Sequence, residues 1–445
     1  MLASTSWFRG EIRMRVFDGR LGLRREAWAW ASYDFANSVF ATTVMAGFFP
    51  VFLDRYWRGG LSHGEAFALL AWTNAGVAVA VVLLAPLLGA IADQGAHRKR
   101  FLIMFLLLGV AATGLLAWPG PGMTLSALLL FGVGGLGYIG GNVFYDSLLP
   151  HVAAPGELDR VSALGYGVGY LGGGLLLALN VAMVAKPHWF GLAGTVAAVK
   201  VAFVTAALWW GAFALVLIFG VHEPRQGLTP GSALVAGLSR LRELLGQLRR
   251  VPVLAGFLLV YWLYIDGVNS VFKLAVGYGL AVGLPADSLL LALLLTQFVA
   301  FPAALGFGWL GERFGPRAGI TLGLCVYIAV VGYAAFLSHP WQFFLLAVLI
   351  GLVQGGTQSL SRSLYARLVP RGESAAYFGL YGLMGKFSAV LGPAMVAVVQ
   401  TWTGNARFAI VSIVVLFLLG LGGLWALPFG RKALSAPDQR DPGNA

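Results

Sequence analysis

Two stretches of the chain carry the same polar set within apolar surroundings. Asp34, Asn37 and Ser38 stand at i, i+3 and i+4; Asp266, Asn269, Ser270 and Lys273 repeat that spacing and extend it to i+7. Residues so spaced share one face of a helix. Each stretch therefore offers a carboxylate, an amide and a hydroxyl together, a set suited to an ammonium group or to a solute that hydrogen-bonds. The carboxylates are also candidate proton carriers. The plainer alternative is that both sets bond to each other or to neighbouring helices and only hold the molecule together. Lys273 lies about 10.5 Å along the axis from Asp266 at 1.5 Å per residue, too far to pair on a straight helix. It either faces the solute or snorkels outward.

A third stripe runs through Gln354, Gln358, Arg362 and Tyr365 at i, i+4, i+8 and i+11. The planar guanidinium fork matches a carboxylate. Arg362 either clamps an acidic group of a solute or closes a salt bridge that locks one conformer. Asn142, Tyr145 and Asp146 occupy a comparable place earlier in the chain with no matching arginine.

These groups need elements to hold them, and the composition says which kind. Of 445 residues, 59% are hydrophobic and 11% charged, with 61 glycines; the mean hydropathy is +0.81. Soluble domains carry about 25% charged residues, so a soluble enzyme, a disordered regulator and a disulfide scaffold are excluded. Apolar runs near the length of a bilayer crossing fall at about 28–53, 66–92, 101–118, 124–149, 162–184, 198–221, 252–280, 288–311, 317–337, 341–366, 375–399 and 406–428. The expected fold is an all-α membrane protein of twelve transmembrane helices in two six-helix bundles. Its units are an N-terminal tail (1–27), a first bundle (28–221), a linker (222–251), a second bundle (252–428) and a C-terminal tail (429–445).

The net charge of +12 is read by sidedness. Most Lys and Arg lie on the side of the two tails, whereas the opposite side holds Arg55, Arg58, Lys186, Lys200 and Arg407. The positive-inside rule then places both termini in the cytoplasm. The arginine-rich N-terminus lacks an apolar stretch with a small-residue cleavage site, so it reads as a retained tail. In the linker, Leu234, Leu238, Leu241, Leu245 and Leu248 recur at helical spacing beside Arg240, Arg242, Arg249 and Arg250, the pattern of a helix on the membrane surface. The single cysteine, Cys325, is read as packing.

The chain also repeats itself. Asp34-Phe-Ala-Asn37-Ser38-Val39-Phe40 and Asp266-Gly-Val-Asn269-Ser270-Val271-Phe272 share Asp, Asn, Ser, Val and Phe in register. Gly89-Ala-Ile-Ala-Asp93 is echoed by Gly308-Trp-Leu-Gly-Glu312. An even number of spans per unit restores orientation, giving parallel repeats about an axis along the membrane normal. Gly165, Gly169 and Gly173, four apart, allow one helix to approach a neighbour closely.

Two of these blocks carry a resemblance. Gly89 to Arg100 looks like the loop signature of the major facilitator superfamily, and Gly308-Trp-Leu-Gly-Glu312-Arg313-Phe-Gly315-Pro-Arg317 is a cleaner copy. More narrowly, Tyr33-Asp34-Phe-Ala-Asn37-Ser38 and the blocks from Arg160 to Gly174, Ser361 to Pro370 and Tyr377 to Pro393 resemble the vacuole effluxer family. That family includes bacterial members of unassigned substrate and fungal vacuolar exporters of amino acids. The resemblance implies the major facilitator fold, with Asp34 and Asp266 facing a central cavity. It further implies that Asp93, Arg98, Arg100, Asp146, Glu312, Arg313 and Arg317 form gates, Asp146 pairing with Arg98 or Arg100 beside Asp93.

The expected function is secondary active transport of a small organic solute, an amino acid or similar zwitterion, by alternating access. Proton or sodium is the expected coupling ion and membrane lipids are the surroundings. No metal cluster, cofactor motif, nucleotide-binding loop or nucleic-acid signature is found, so no ATP and no nucleic acid are expected. Compact loops and Ala, Gly and Arg usage suggest a bacterial inner membrane. The alternatives are a lipid or lysolipid flippase on the same fold and, more remotely, an intramembrane aspartyl enzyme. Tyr33-Asp34 echoes one half of such an enzyme, but Tyr264-Ile265 precedes the second aspartate where a Gly-x-Gly is wanted.

Overall fold

Backbone groups in hydrocarbon must be satisfied within their own segment or a closed barrel, and the apolar runs of this chain answer with helices. The computed structural model describes residues 23–61, 97–223, 252–281, 286–369, 374–387 and 391–428, with scattered positions between 66 and 92. The helices are α1 (Arg25–Trp57), α2 (Arg98–Leu115), α3 (Thr124–Val152), α4 (Leu158–Ala185) and α5 (Thr195–Gly220). After the linker follow α6 (Pro252–Ala281), α7 (Ala286–Phe314), α8 (Pro316–Ala334), α9 (Pro340–Leu368), α10 (Ser374–Phe387), α11 (Leu391–Thr403), α12 (Ala406–Val411) and α13 (Val414–Ala426).

Among the described residues, nine helical stretches are long and apolar enough to cross a membrane. Of the expected span at 375–399, helix is described at Ser374–Phe387 (α10) and Leu391–Thr403 (α11), and residues 388–390 lie outside the described residues. Residues 1–22, 224–251 and 429–445 lie outside the described residues. So the N-terminal tail up to residue 22, the C-terminal tail and all but the first two residues of the linker, its amphipathic helix included, lie outside them, whereas the last residues of the N-terminal tail open α1 at Arg25.

In the first half α1 packs on α4 and α5, and α2 on α3 and α5; in the second, α9 lies against α7 and α8, and α6 against α10 and α13. The halves meet where α4 packs on α7 and α9, and α3 on α10. Small residues set these approaches. A Cβ on Gly172 would stand 2.4 Å from the Phe35 carbonyl, and one on Gly173 3.0 Å from Thr42 Cγ2. The spaced glycines of α4 thus seat α1. On α9, a Cβ at Gly355 would meet Tyr170 at 2.8 Å and Ala304 at 2.9 Å, so this face admits α4 and α7 together.

Two features were not anticipated. α1 passes through π-helical turns at Phe40–Phe48 and Leu53–Trp57, a geometry that re-aims side chains and concentrates at functional sites. Cys325 is exposed on α8 rather than packed inside.

Candidate functional site

The polar centre of the molecule is built around Arg362 of α9, which is 2% exposed. Its Nε donates to Ser162 Oγ at 2.9 Å, and its Nη2 to the Ser162 carbonyl at 2.8 Å. Nη1 donates to Asp146 Oδ1 at 2.8 Å. Asp34 Oδ2 lies 3.3 Å from Nη1 and 3.4 Å from Nη2. Asp34, Asp146 and Ser162 come from α1, α3 and α4, so one side chain of the second half ties three helices of the first. The guanidinium also lies over the rings of Tyr166 at 4.3 Å, Trp30 at 4.8 Å and Tyr145 at 5.6 Å, where cation–π attraction adds to the ion pairs.

Local packing explains why these groups converge. Tyr145 donates its hydroxyl to Asp34 Oδ2 at 2.8 Å, while its ring stacks on Trp30 at 4.3 Å. The Trp30 Nε1 donates in turn to the Tyr145 carbonyl at 2.9 Å. The shared space is left by Gly165: a Cβ there would stand 2.6 Å from Asp34 Oδ2 and 2.9 Å from both Arg362 Nη2 and the Tyr145 hydroxyl. Glycine at this position is what lets carboxylate, phenol and guanidinium meet.

About a turn and a half further along α9 a second layer joins the halves. Arg367 donates to Asp159 Oδ2 at 2.7 Å and to the Pro155 carbonyl at 2.8 Å. Ser363 donates to the other oxygen of Asp159. The next residue, Arg160, pairs with Glu312 of α7. Asp159 and Arg160 thus reach different helices of the second half. Ser162 Oγ also donates to the Ser359 carbonyl, and Ser374 Oγ to the Ser147 carbonyl, each at 2.8 Å. All of these inter-half bonds lie at the end of the bundle that carries residues 147–162, 312 and 359–374.

The expected site residues separate into groups. Asp34, Arg362 and Asp146 come together; Asn37 bonds to Asn142 beside them, and Ser38 lies under Gly169. Gln354 and Gln358 continue the Arg362 face away from the latched end. Gln354 is buried, and its Oε1 has no hydrogen-bond partner among the described residues. Tyr365 instead faces its own half, donating to the Tyr377 carbonyl at 2.6 Å and stacking on Tyr381.

Asp266 departs from its repeat mate. It is fully buried and accepts the backbone amides of Leu391 and Gly392, each at 2.9 Å, and Ser270 Oγ at 3.1 Å. These are the amides of the first described residues of α11, and a carboxylate is favoured where backbone N–H groups point at it. Asn269 is half-buried on the same face. Lys273 belongs to α6, but its side chain lies outside the described residues.

The expected pairing of Asp146 with Arg98 or Arg100 is replaced by Arg362. Arg98 is taken by Glu223, whose carboxylate caps α2 through the amides of Arg98 at 3.0 Å and Lys99 at 3.1 Å, with the guanidinium 3.7 Å away. Arg100 is exposed. Within the second half, Arg313 lies over Trp309 and Phe314, and Arg317 over Trp425, whose carbonyl it also bonds. Asp93 lies outside the described residues. Sequence reasoning missed Asp159, Glu223 and the anchoring role of Ser162. Asp159-Arg160 and Arg367 carried the only available signal, as charges at span ends.

Among the described residues no group of His, Cys, Asp and Glu that would hold a metal ion is found. A separate cavity in the second half is lined by Val271, Tyr278, Thr296, Val330, Phe343 and other residues, nearly all apolar. The Tyr278 and Thr296 hydroxyls there already bond to backbone carbonyls.

Comparison with known proteins gives a consistent picture. A family model described as vacuole effluxer Atg22 like matches residues 65–436. The MFS-type transporter YxiO of Bacillus subtilis is 34% identical over 396 residues, covering 88% of this chain and 92% of its own. Autophagy-related protein 22-1 of Penicillium rubens is 22% identical over 542 residues, covering 91% and 90%. Among solved structures, the human organic anion transporter MFSD10 (TETRAN) superimposes with a TM-score of 0.70 at 15% identity, over 90% of this chain and 99% of that one. The proton:xylose symporter XylE gives 0.68 at 15% identity, over 90% and 94%. These likenesses show the major facilitator fold.

Proposed function

The chain belongs to the vacuole effluxer Atg22-like family and is a multi-pass membrane protein of the major facilitator type; from that premise we propose that it is a secondary active transporter working by alternating access. In this reading the chain has twelve spans and cytoplasmic termini, with halves at 28–221 and 252–428 that rock about a central site. The latched end is cytoplasmic and the conformer is closed on that side. The membrane is a bacterial inner membrane, and the driving ion is a proton or sodium.

The observation that carries the proposal is Arg362, a buried cation of one half held by two carboxylates of the other. A buried pair is a poor source of stability, because desolvation offsets much of the Coulomb gain, but it is well suited to a two-state contact. Made, it holds the halves together on one side; broken, it frees a guanidinium and two carboxylates to meet a solute. The groups released suit a zwitterion such as an amino acid, in keeping with the effluxer family. The π-helical turns of α1, above Asp34, are a natural place for that helix to bend.

The test is counterflow in proteoliposomes loaded with a mixture of amino acids and dipeptides, the internal pool being read by mass spectrometry. The proposal expects enrichment of a few zwitterions, lost in Arg362→Ala. Correctly inserted protein that enriches none of them would overturn the zwitterion assignment.

A further inference from the structure

The Arg362 guanidinium has five N–H donors, and in this conformer every one has an acceptor. Nε takes Ser162 Oγ, Nη1 takes Asp146 and Asp34, and Nη2 takes the Ser162 carbonyl and Asp34. No donor is left for a solute carboxylate. Such a group can reach Arg362 only by displacing an acceptor already there.

The acceptors are not equal. Ser162 and Asp146 bind at 2.8–2.9 Å, the range of strong charge-assisted bonds. Asp34 binds at 3.3 and 3.4 Å, beyond the usual N–H···O range. Asp34 also has a second support that Arg362 does not provide, the Tyr145 hydroxyl at 2.8 Å. It is the acceptor that leaves at least cost.

Charge decides what must accompany the exchange. One guanidinium faces two carboxylates, an excess of one negative charge in a largely buried place. The other titratable groups near Asp34 among the described residues are phenols: Tyr33 on α1, Tyr138 and Tyr145 on α3, and Tyr166 and Tyr170 on α4. None supplies a second cation. A third carboxylate at the guanidinium, with any ammonium of the solute lying outside this pocket, would double the excess charge there, at a cost that buried ions do not sustain. We infer that Asp34 is the exchangeable acceptor of Arg362: a carboxylate of the solute takes its place on the guanidinium, and Asp34 takes up one proton as it leaves. The excess then stays at one negative charge before and after. Asp146 and Ser162 are positioning residues that keep the fork aimed throughout.

This inference rests on the transport reading and adds a substrate class, solutes bearing a carboxylate, with one proton bound per carboxylate. The sign follows directly. Protonation removes the competitor, so affinity for the carboxylate rises as pH falls.

The experiment uses full-length purified protein in detergent and sodium acetate as the probe, with chloride as reference and the thermal unfolding midpoint as readout. Wild type should be stabilised by acetate increasingly as the pH is lowered. Asp34→Asn should respond already at neutral pH, at an acetate concentration about tenfold lower, the change expected when a competing interaction of about 1.4 kcal/mol is removed, and with little pH dependence. Asp266→Asn, whose carboxylate binds the amides of Leu391 and Gly392 rather than the guanidinium, should keep the wild-type pH dependence. Asp34→Ser, with a shorter side chain, serves should the Asn amide still engage the guanidinium. Identical behaviour of wild type and both Asp34 variants, or the same gain appearing in Asp266→Asn, overturns the exchange. Intact counterflow without an acetate response defeats this inference alone. An acetate response without counterflow defeats the transport reading alone.

Discussion

Asp34 and Asp266 hold equivalent places in the two sequence repeats yet bind unlike partners. Asp34 meets Arg362 and Tyr145 across helices, whereas Asp266 receives the backbone amides of Leu391 and Gly392. The first contact crosses between the halves; the second fixes α11 to α6 within one half.

The two aspartates should therefore differ in what their loss changes. Asp266→Ala removes three hydrogen bonds to a buried carboxylate, two of them from amides, and bonds to charged groups are worth about 1.5–3 kcal/mol each. It should lower the unfolding midpoint clearly while the pH profile of any remaining transport stays that of wild type. Asp34→Asn should do the reverse, flattening the profile with a smaller change in midpoint. Paired thermal unfolding and uptake measurements across pH check this, and a flattened profile in Asp266→Ala would refute it.

The two arms of the latch should be unequal. Arg160 and Glu312 are 37% and 16% exposed, whereas Asp159 is 1% exposed and satisfied by Ser363 and Arg367. Exposed pairs contribute about 0–1 kcal/mol, and breaking a buried one costs about 3–5 kcal/mol. Glu312→Gln should thus be mild and Asp159→Asn strong in opening the latched end. Accessibility of a cysteine placed at Ser359 to a thiol reagent, measured in both variants, reads the difference.

Cross-linking the latch should stop transport reversibly. With Cys325→Ser as background, Arg160→Cys combined with Glu312→Cys, the two positions whose side-chain ends meet, is expected to be bridged by a bifunctional thiol reagent with a reducible linker, to lose uptake and to regain it on reduction. Full uptake by the cross-linked protein would mean that this end need not open.

Close packing of α2 on α3 should tolerate no added carbon. A Cβ on Gly137 would lie 2.5 Å from the backbone of Gly109 and 2.7 Å from the Phe105 carbonyl, and backbone cannot swing aside as a side chain can. Gly137→Ala should destabilise by about 1–3 kcal/mol. Gly306→Ala, where nothing lies within 4 Å, should be nearly silent. Thermal unfolding of the pair provides the check.

The helices were legible because apolar length is a one-dimensional signal: the runs at 162–184 and 341–366 reappear as α4 and α9. The repeat motif showed which residues are related but not that their surroundings had diverged. Asp34 faces Arg362 of the second half, while Asp266 receives the amides of Leu391 and Gly392 within its own half. Arg362 was legible as a forked donor, and its salt-bridge alternative is what this conformer displays. Its partners were not legible, since Asp146 and Ser162 lie 216 and 200 residues away in sequence and only packing brings them close. Asp159 was hidden for the same reason: a charge at a span end looks solvated until a facing helix covers it.

The central claim is that Arg362 holds the two halves together at the latched end and must let go during transport. Spin labels placed across that end, one on α4 and one on α9, allow their distance distribution to be measured by double electron–electron resonance. The account predicts a short distance in wild type and, in Arg362→Ala, a population shifted to longer distances together with loss of solute enrichment. An unchanged short distance with full enrichment in Arg362→Ala would contradict it.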